Sequence, residues 1–217
     1  MPTNLVPIRN ALFSVYDKDG LEPLTRGLYE VNPDLTILST GGTLGKLRSL
    51  FPGNERILDL EVYTGAPQSP DHLVVTLHPK VHAGLLMDWE NPKHIAYSVR
   101  NGVYPIDLVV NNLYPFEEVV ASGANPREAR DKIDIGGVTL IRAAAKNAKR
   151  VAILTDPSQY DPLLGELRAQ DGATTFALRR QLRNAAFKRT SEYDAAIDRF
   201  YDQLGLEEEA AALGIDV

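Results

Sequence analysis

The chain has 217 residues, of which 44% are hydrophobic and 24% charged, a balance that is typical of globular proteins and excludes a disordered or fibrous one. Its formal net charge of −6 argues against a general nucleic-acid binder, which needs excess lysine and arginine, and the lack of cysteine excludes disulfides and thiolate metal sites. No apolar run reaches the ~18–20 residues of a membrane span, and the first ten residues lack the apolar core of a signal peptide. We therefore expect a soluble, cytoplasmic protein with no membrane or nucleic-acid partner.

Five short apolar runs bounded by polar turns predict buried strands. In chain order they are Ala11–Val15, Leu35–Leu38, Arg56–Leu60, Ile106–Asn111 and Val151–Leu154. Between and after them, helices are predicted over Leu21–Val31 with Asp19 as N-cap, from Thr43 to about Leu50, over Lys80–Met87, Pro92–Asn101, 117–122 and 126–132, from Asp134 to about Asn147, and over Pro157–Ala169. The apolar spacing of Thr175–Leu204 predicts one or two amphipathic helices.

Alternating strands and helices predict a single domain over residues 1–217 with a three-layer α/β/α fold. Its sheet should be mainly parallel and five-stranded, with helices added at the C-terminal end. Residues 205–217, which include Glu207 to Glu209, are expected to form a loosely ordered acidic tail. Because parallel sheets bind ligands outside the carboxyl ends of their strands, the polar segments 16–20, 39–43, 111–116 and 134–137 should converge at one edge.

The segment Ser39–Thr43 (STGGT) follows a strand and precedes a helix, which is a favourable place for a phosphate. The glycines let backbone N–H groups approach an anion, and the helix N-terminus adds a positive dipole. Lys18 could supply the cation. A glycine-rich turn with a threonine N-cap and a solvated lysine would produce the same pattern.

Asp134 precedes two glycines at the start of a predicted helix, where backbone N–H groups could hold an oxyanion. Asp134 could accept a proton, Lys146 could donate one, and Tyr114 could present its phenol to a ligand. The alternatives are that Asp134 is an ordinary N-cap, that Lys146 complements the helix dipole, and that Tyr114 is a packed aromatic corner.

His78 and His82 could share a helix face as a metal pair, but no third ligand is evident nearby, so no metal is expected. The Gly-x-Ser-x-Gly and Gly-x-Gly-x-x-Gly patterns are absent from the sequence. Serine-hydrolase and dinucleotide-dependent oxidoreductase functions therefore have no support.

Taken together, these segments strongly resemble the IMP cyclohydrolase domain, the N-terminal half of the bifunctional purine-biosynthesis enzyme that also carries AICAR transformylase. The resemblance extends over about residues 9–204 and rests on seven segments in a fixed order. They are Ser14–Gly20 (SVYDKDG), Ser39–Thr43 (STGGT), Thr76–His82 (TLHPKVH), Asn112–Phe116 (NLYPF), Ile133–Gly137 (IDIGG), Arg142–Asn147 (RAAAKN) and Ala186–Asp194 (AFKRTSEYD).

The resemblance implies a methylglyoxal-synthase-like fold and closure of the last purine ring, in which FAICAR loses water and becomes IMP. It implies no metal or organic cofactor, a homodimer, and a nucleotide substrate. The transformylase domain of the family is missing from the sequence, so a stand-alone cyclohydrolase with a separate transformylase as partner is the expectation, with a truncated chain as the alternative. Methylglyoxal synthase, which shares the fold, is a rival enzyme function, but it lacks support because the tyrosine–proline–phenylalanine and lysine–asparagine segments belong to the cyclohydrolase pattern.

The resemblance also implies roles for individual residues. Lys146 corresponds to the proton donor and acceptor, Tyr114 to a stabiliser of developing oxygen charge, and Asp134 to a group that orients the amide or the lysine. The phosphate would bind Thr40, Gly41, Gly42 and Thr43 with help from Tyr16, Asp17 and Lys18. The base and formyl group would lie against Thr76, Asn111, Asn112, Asp134, Ile135 and Gly136.

Several positions depart from the family pattern. Leu73 and Val75 stand where the family has an arginine and an active-site lysine, and Tyr16, Asp19 and Ala148 replace a serine, a threonine and a histidine. Removing a preorganised donor typically lowers a rate by about 10²–10³. The alternative is therefore a degenerate or non-catalytic paralogue that binds a purine nucleotide.

Overall fold

The computed structural model describes residues 4–67, 69 and 75–217 of the chain. Its strands are β1 (Val6–Pro7), β2 (Asn10–Val15), β3 (Thr36–Ser39), β4 (Ile57–Asp59), β5 (Leu108–Asn112), β6 (Ala152–Leu154) and β7 (Ala173–Thr174). Its helices are α1 (Leu21–Val31), α2 (Gly41–Leu50), α3 (Leu60–Thr64), α4 (Pro79–Leu86), α5 (Pro92–Asn101), α6 (Phe116–Ala121), α7 (Pro126–Arg130), α8 (Ile135–Lys146), α9 (Tyr160–Ala169), α10 (Phe176–Asp202) and α11 (Leu206–Leu213). A 3₁₀ turn, Pro157–Gln159, leads into α9.

The main sheet of the described residues has five strands in the order β4-β3-β2-β5-β6. Every neighbouring pair is parallel, and Leu12 in the central strand lies opposite Leu38 on one side and Val109 on the other. The predicted five-stranded parallel sheet is confirmed. A small antiparallel pair, β1 with β7, was not predicted because two-residue strands carry no periodic signal.

Helices cover both faces of the sheet, which confirms the three-layer fold. Successive strand residues point to opposite faces, so Phe13 packs into one core with α1, α2 and α9. Leu12 packs into the other core with α4 and α8. The long helix α10 contributes to both, with Leu178 and Leu182 in the first core and Ala186 in the second.

Three local predictions need correction or refinement. The residue before α1 is Gly20 rather than Asp19, because the left-handed turn at Gly20 intervenes between Asp19 and the helix, whose N-terminus has no side-chain cap. The Asp19 N–H donates to the Asp17 carboxylate at 2.9 Å. Of the one or two helices predicted over Thr175–Leu204, the structure has one, of 27 residues. The segment expected to be a loose tail contains α11, whose alanines, leucines and N-terminal glutamates favour a helix and whose Ala210 is buried.

The parallel arrangement brings the carboxyl ends of β2, β3 and β5 to the same edge. The chain segments that follow these strands meet the start of α8 at this edge. Within the described ranges, no helix has the length and apolar character required to cross a membrane.

Candidate functional site

Asn112, at the end of β5, fixes the loop that follows β2. Its Oδ1 accepts hydrogen bonds from the backbone N–H groups of Tyr16 and Asp17 at 2.7 and 2.9 Å, and its Nδ2 donates to the Asp17 carbonyl at 2.9 Å. The amide of Asn112 is thus engaged in holding the loop. This observed role is one of positioning the loop, and the predicted contact of Asn112 with a base stays a prediction.

Thr43 fixes the glycine loop to the same strand. Its hydroxyl accepts from the Val15 N–H at 3.1 Å and donates to the Val15 carbonyl at 3.0 Å, and the side chain is buried. The Ser39 hydroxyl donates to the Phe13 carbonyl at 2.9 Å. The Thr43 hydroxyl therefore holds the start of α2 against β2, and an anion bound there would meet backbone N–H groups instead.

Between β3 and α2 the chain turns at Gly41, whose φ of +53° is in the left-handed region that favours glycine. A Cβ atom built at Gly42 would lie 3.7 Å from Lys18 Cε and 3.8 Å from Lys18 Nζ. The ammonium group also donates to the Tyr16 carbonyl at 3.0 Å. Lys18 is thus held over the first turn of α2, where its charge and the helix dipole both favour an anion.

Asp134 caps the helix α8 at the same edge. Its Oδ1 accepts from the Gly137 N–H at 2.7 Å, and its own N–H donates to the hydroxyl of Tyr193 at 2.8 Å. A Cβ atom built at Gly137 would lie 2.9 Å from Leu113 Cδ2 and equally close to the carboxyl carbon of Asp134. Glycine at this position lets the carboxylate, α8 and the segment after β5 approach one another.

Gly136 brings Thr76 to the start of α8. A Cβ atom at Gly136 would lie 2.8 Å from Thr76 Oγ1, so the threonine hydroxyl sits directly against the backbone of the first helical turn. Thr76 is itself buried, and the neighbouring Ile135 is exposed. Thr76, Ile135 and Gly136, predicted as neighbours of a base, are thus close together.

The electrostatic environment distinguishes Asp134 and Tyr114 from surface residues of the same kind. Burial raises the pKa of the Asp134 carboxyl, although hydrogen bonds from the backbone of Gly137 and Tyr114 act in the opposite direction. Burial also raises the pKa of the Tyr114 phenol, and the charges of Asp134 and Tyr16 add to the rise. A carboxyl with a raised pKa is a better proton acceptor than one in water, and a neutral phenol is a hydrogen-bond donor.

Tyr16, in the loop after β2, and Tyr114, in the segment after β5, form an aromatic pair. Their ring centroids lie 5.4 Å apart in an edge-on arrangement, and both rings are exposed. Tyr16 occupies the position where the resemblance implies a serine. The larger side chain therefore supplies an aromatic wall beside Tyr114.

Asn111 has an unsatisfied group beside this edge. Its side chain is 2% exposed, and its Oδ1 has no hydrogen-bond partner among the residues that the structure describes. An orphaned buried acceptor is uncommon in proteins and is consistent with a ligand donor such as a base N–H.

Lys146 is the predicted site residue that the structure places elsewhere. It is the last residue of α8, a 12-residue helix that begins directly after Asp134, so the two lie roughly 18 Å apart along the helix axis. Lys146 is also exposed. Within one chain, Asp134 and Tyr114 share the site, whereas Lys146 lies at the opposite end of α8.

The residues that depart from the family pattern lie in different parts of the structure. Val75 is partly buried and packs against the core that contains α4 and α8. Leu73 falls outside the described residues. Ala148 is buried beyond the end of α8, and its carbonyl accepts from Arg179 Nε at 3.1 Å.

The two histidines have separate structural surroundings. His78 Nδ1 accepts from the Lys80 N–H at 3.1 Å and caps α4. Burial lowers the pKa of His82, which has a hydrogen bond to the backbone of Thr76. Throughout the described ranges, no cluster of three or more metal-ligating side chains occurs.

Tyr193 is the residue of this region whose role the sequence did not predict. Its position in the Ala186–Asp194 segment marked it as part of the resemblance, but its apolar spacing indicated only a core tyrosine of α10. Its contact with Asp134 joins residues 59 positions apart, which no local pattern encodes.

Family models match two parts of the chain. The model described as MGS-like domain matches residues 20–139, more than half of the chain. The model described as AICARFT/IMPCHase bienzyme matches residues 144–215.

Curated proteins similar to this chain are named as bifunctional purine biosynthesis protein PurH. One from Cereibacter sphaeroides is 48% identical over 195 residues, which cover 90% of this chain and 36% of that protein. One from Rhodospirillum rubrum is 46% identical over 203 residues, which cover 93% of this chain and 38% of that protein. The chain thus spans little more than a third of the length of these relatives.

A solved structure described as the crystal structure of ForH is also similar. Its TM-score is 0.76 at 30% sequence identity, and the match covers 89% of this chain and 99% of the other. The fold is therefore shared over nearly the whole of both chains.

Proposed function

Since the chain belongs to the family of MGS-like domains and is a relative of the bifunctional PurH purine-biosynthesis proteins, we propose that it is an IMP cyclohydrolase that closes the ring of FAICAR. The observation that carries the proposal is the pairing, at one sheet edge, of a helix N-terminus suited to an anion with a partly buried carboxylate. Lys18 lies over the start of α2, and Asp134 caps α8 beside Tyr114. A nucleotide that carries a phosphate at one end and the reacting groups at the other has the complementary chemistry.

The phosphate would bind to the first turn of α2. Its negative charge is matched by the Lys18 ammonium and by the N–H groups and dipole of the helix. Thr43 and Asn112 support this arrangement by tying both loops to β2 and β5.

Ring closure needs a proton acceptor and oxygen donors at the other end of the substrate. The carboxamide nitrogen attacks the formyl carbon, one proton moves from that nitrogen to the formyl oxygen, and a hydroxylated tetrahedral centre forms. The C–O bond then breaks and water leaves as the formamide nitrogen loses its proton. Asp134 is suited to accept the proton, while the Tyr114 phenol and the first N–H groups of α8 are suited to stabilise the oxygen.

Lys146 can take part only if a second copy of the chain brings it to the site, because α8 separates it from Asp134 in the same chain. The proposed assembly is a homodimer, and the proposed proton donor is the lysine of the neighbouring subunit. Mixing Lys146→Ala with Asp134→Asn, each strongly impaired alone, should then restore up to about a quarter of the wild-type rate, because one site of each mixed dimer is intact. Absence of restoration in a verified mixed dimer would contradict a shared site.

The proposal is tested by FAICAR turnover with the purified chain, followed as IMP formation, and by calorimetric IMP binding on the same sample. Turnover well above the spontaneous rate, and lost in Asp134→Asn, is the expected result. IMP binding without turnover would favour the non-catalytic nucleotide-binding paralogue. The specific observation behind that second candidate is Val75, an apolar side chain packed on the core where the resemblance implies a lysine.

A further inference from the structure

Tyr193 joins the long helix α10 to the residue that caps α8. Its hydroxyl accepts from the Asp134 N–H at 2.8 Å and donates to the Lys132 carbonyl at 3.2 Å. The side chain is fully buried. The hydroxyl therefore acts as both donor and acceptor, and its two partners are the ends of the short segment Lys132–Asp134 that leads into α8.

The ring of Tyr193 is held by neighbours on several elements. Phe116, at the start of α6, lies edge-on with its ring centroid 6.1 Å away, and the guanidinium of Arg189 lies 5.4 Å from the ring centroid. Arg189 is in turn bonded to Glu117 of α6 at 2.6 Å. A rigid ring in a packed core fixes the position of its hydroxyl, and through it the position of the Asp134 backbone.

We propose that Tyr193 is a positioning residue for Asp134, which it holds in the orientation needed for proton transfer in the reaction proposed above. The inference rests on the proposed function, because it assigns a task to the same carboxylate. The Asp134 backbone has its N–H fixed by Tyr193, while its side chain is fixed by the Gly137 N–H. Two anchors on one residue leave the carboxylate little freedom, which is the preorganisation that a catalytic group requires.

The variant Tyr193→Phe removes the hydroxyl and preserves the ring. We expect kcat to fall about ten- to a hundredfold while KM changes by less than about twofold, because a displaced carboxylate affects the reaction more than phosphate binding. The matched control is Tyr63→Phe. Tyr63 is also a buried tyrosine of this core, and its hydroxyl accepts from a backbone N–H, that of Tyr104, at 2.9 Å. The control should lose similar stability but keep kcat within about twofold.

A double-mutant cycle separates positioning from general destabilisation. If Tyr193 acts through Asp134, adding Tyr193→Phe to Asp134→Asn should lower kcat by less than about twofold further. Equal falls in kcat for Tyr193→Phe and Tyr63→Phe, or additive effects in the cycle, would overturn the inference.

Amide hydrogen exchange tests the positioning without relying on turnover. Tyr193→Phe should speed exchange at the Asp134 and Gly137 amides at least tenfold more than at other core amides, whereas Tyr63→Phe should not. If the wild-type chain shows no FAICAR turnover, the proposed reaction fails, but this exchange pattern still reports whether Tyr193 holds Asp134. Unchanged relative exchange at both amides would refute the positioning role whatever the activity.

Discussion

Asp134 experiences opposing influences on its carboxyl group. Burial raises its pKa above the ordinary value of 3.8, while the hydrogen bonds from Gly137 and Tyr114 favour the ionised form, and burial is the larger influence. A proton acceptor with a raised pKa loses its ionised form at a higher pH than a solvent-exposed aspartate does. The same shift means that protonated Asp134 stabilises the folded state relative to the unfolded state. This contribution to the free energy of unfolding is lost as the pH rises through the raised pKa.

The variant Asp134→Asn therefore separates charge from capping. Asparagine caps helices about as well as aspartate, so the melting temperature at pH 7 should not fall by more than a few degrees. Turnover should fall roughly 100-fold, and the acidic limb of the kcat–pH profile, which the raised pKa of Asp134 shifts to higher pH than an ordinary aspartate would give, should disappear. Rates of IMP formation measured between pH 4 and pH 9 for both proteins test this expectation. An unchanged acidic limb would assign the proton acceptor to another residue.

At the scale of elements, the first turn of α8 has a glycine where Leu113 and the Asp134 carboxyl group approach the helix backbone, although glycine has a low helix propensity. Glycine disfavours helices, yet Gly137 lies in the first turn because a Cβ atom there would overlap Leu113 and the Asp134 carboxyl group. The helix thereby gives up some intrinsic stability so that the capping carboxylate and the segment after β5 can meet.

Gly137→Ala should consequently destabilise the protein by about 1–3 kcal/mol, despite the better helix propensity of alanine. The matched control is Gly165→Ala in α9, an exposed helical glycine whose Cβ would meet no atom of the described residues within 4 Å. That variant should stabilise the protein by about 0.5–1 kcal/mol. Urea denaturation measures both, and a stabilised Gly137→Ala variant would show that the α8 start adapts to a methyl group.

At the scale of the whole molecule, Arg179 connects distant parts of the chain through buried hydrogen bonds. Although only 1% exposed, it donates to the carbonyl oxygens of Asn4, Ala148, Lys149 and Thr174 and to the Thr174 hydroxyl. These partners belong to the N-terminal segment, the connection after α8, and β7. Burial lowers the pKa of this guanidinium, and the negative charge of Glu166 acts in the opposite direction.

Arg179→Met should destabilise the fold by about 3 kcal/mol or more, because it leaves several buried carbonyl groups without a donor. Arg180→Met is the matched control, since its exposed neighbouring side chain should contribute within about 0.5 kcal/mol. Chemical denaturation of both variants tests the contrast. Equal stabilities would mean that the carbonyl groups find water when the guanidinium is removed.

The sequence alone determined the elements and their layering. Leu12 and Phe13 alternate between two cores, and the bounds of α1 and α5 match the predicted helices, because periodicity, caps and breakers are local signals. The glycine loop before α2 and the cap of α8 were likewise predictable. An arginine such as Arg179 had only a weak signal, namely a charge on the apolar stripe of α10 three positions before Leu182.

Only the tertiary structure decided which of these residues meet. It brought Asp134 against Tyr193 and Lys18 over Gly42, it assigned the side chains of Thr43 and Asn112 to holding loops, and it separated Lys146 from Asp134. The physical reason is that a sequence pattern specifies the period and the ends of an element. Contacts between residues that are tens of positions apart in the sequence depend on the register of the strands and the packing of the helices, and those are properties of the folded chain.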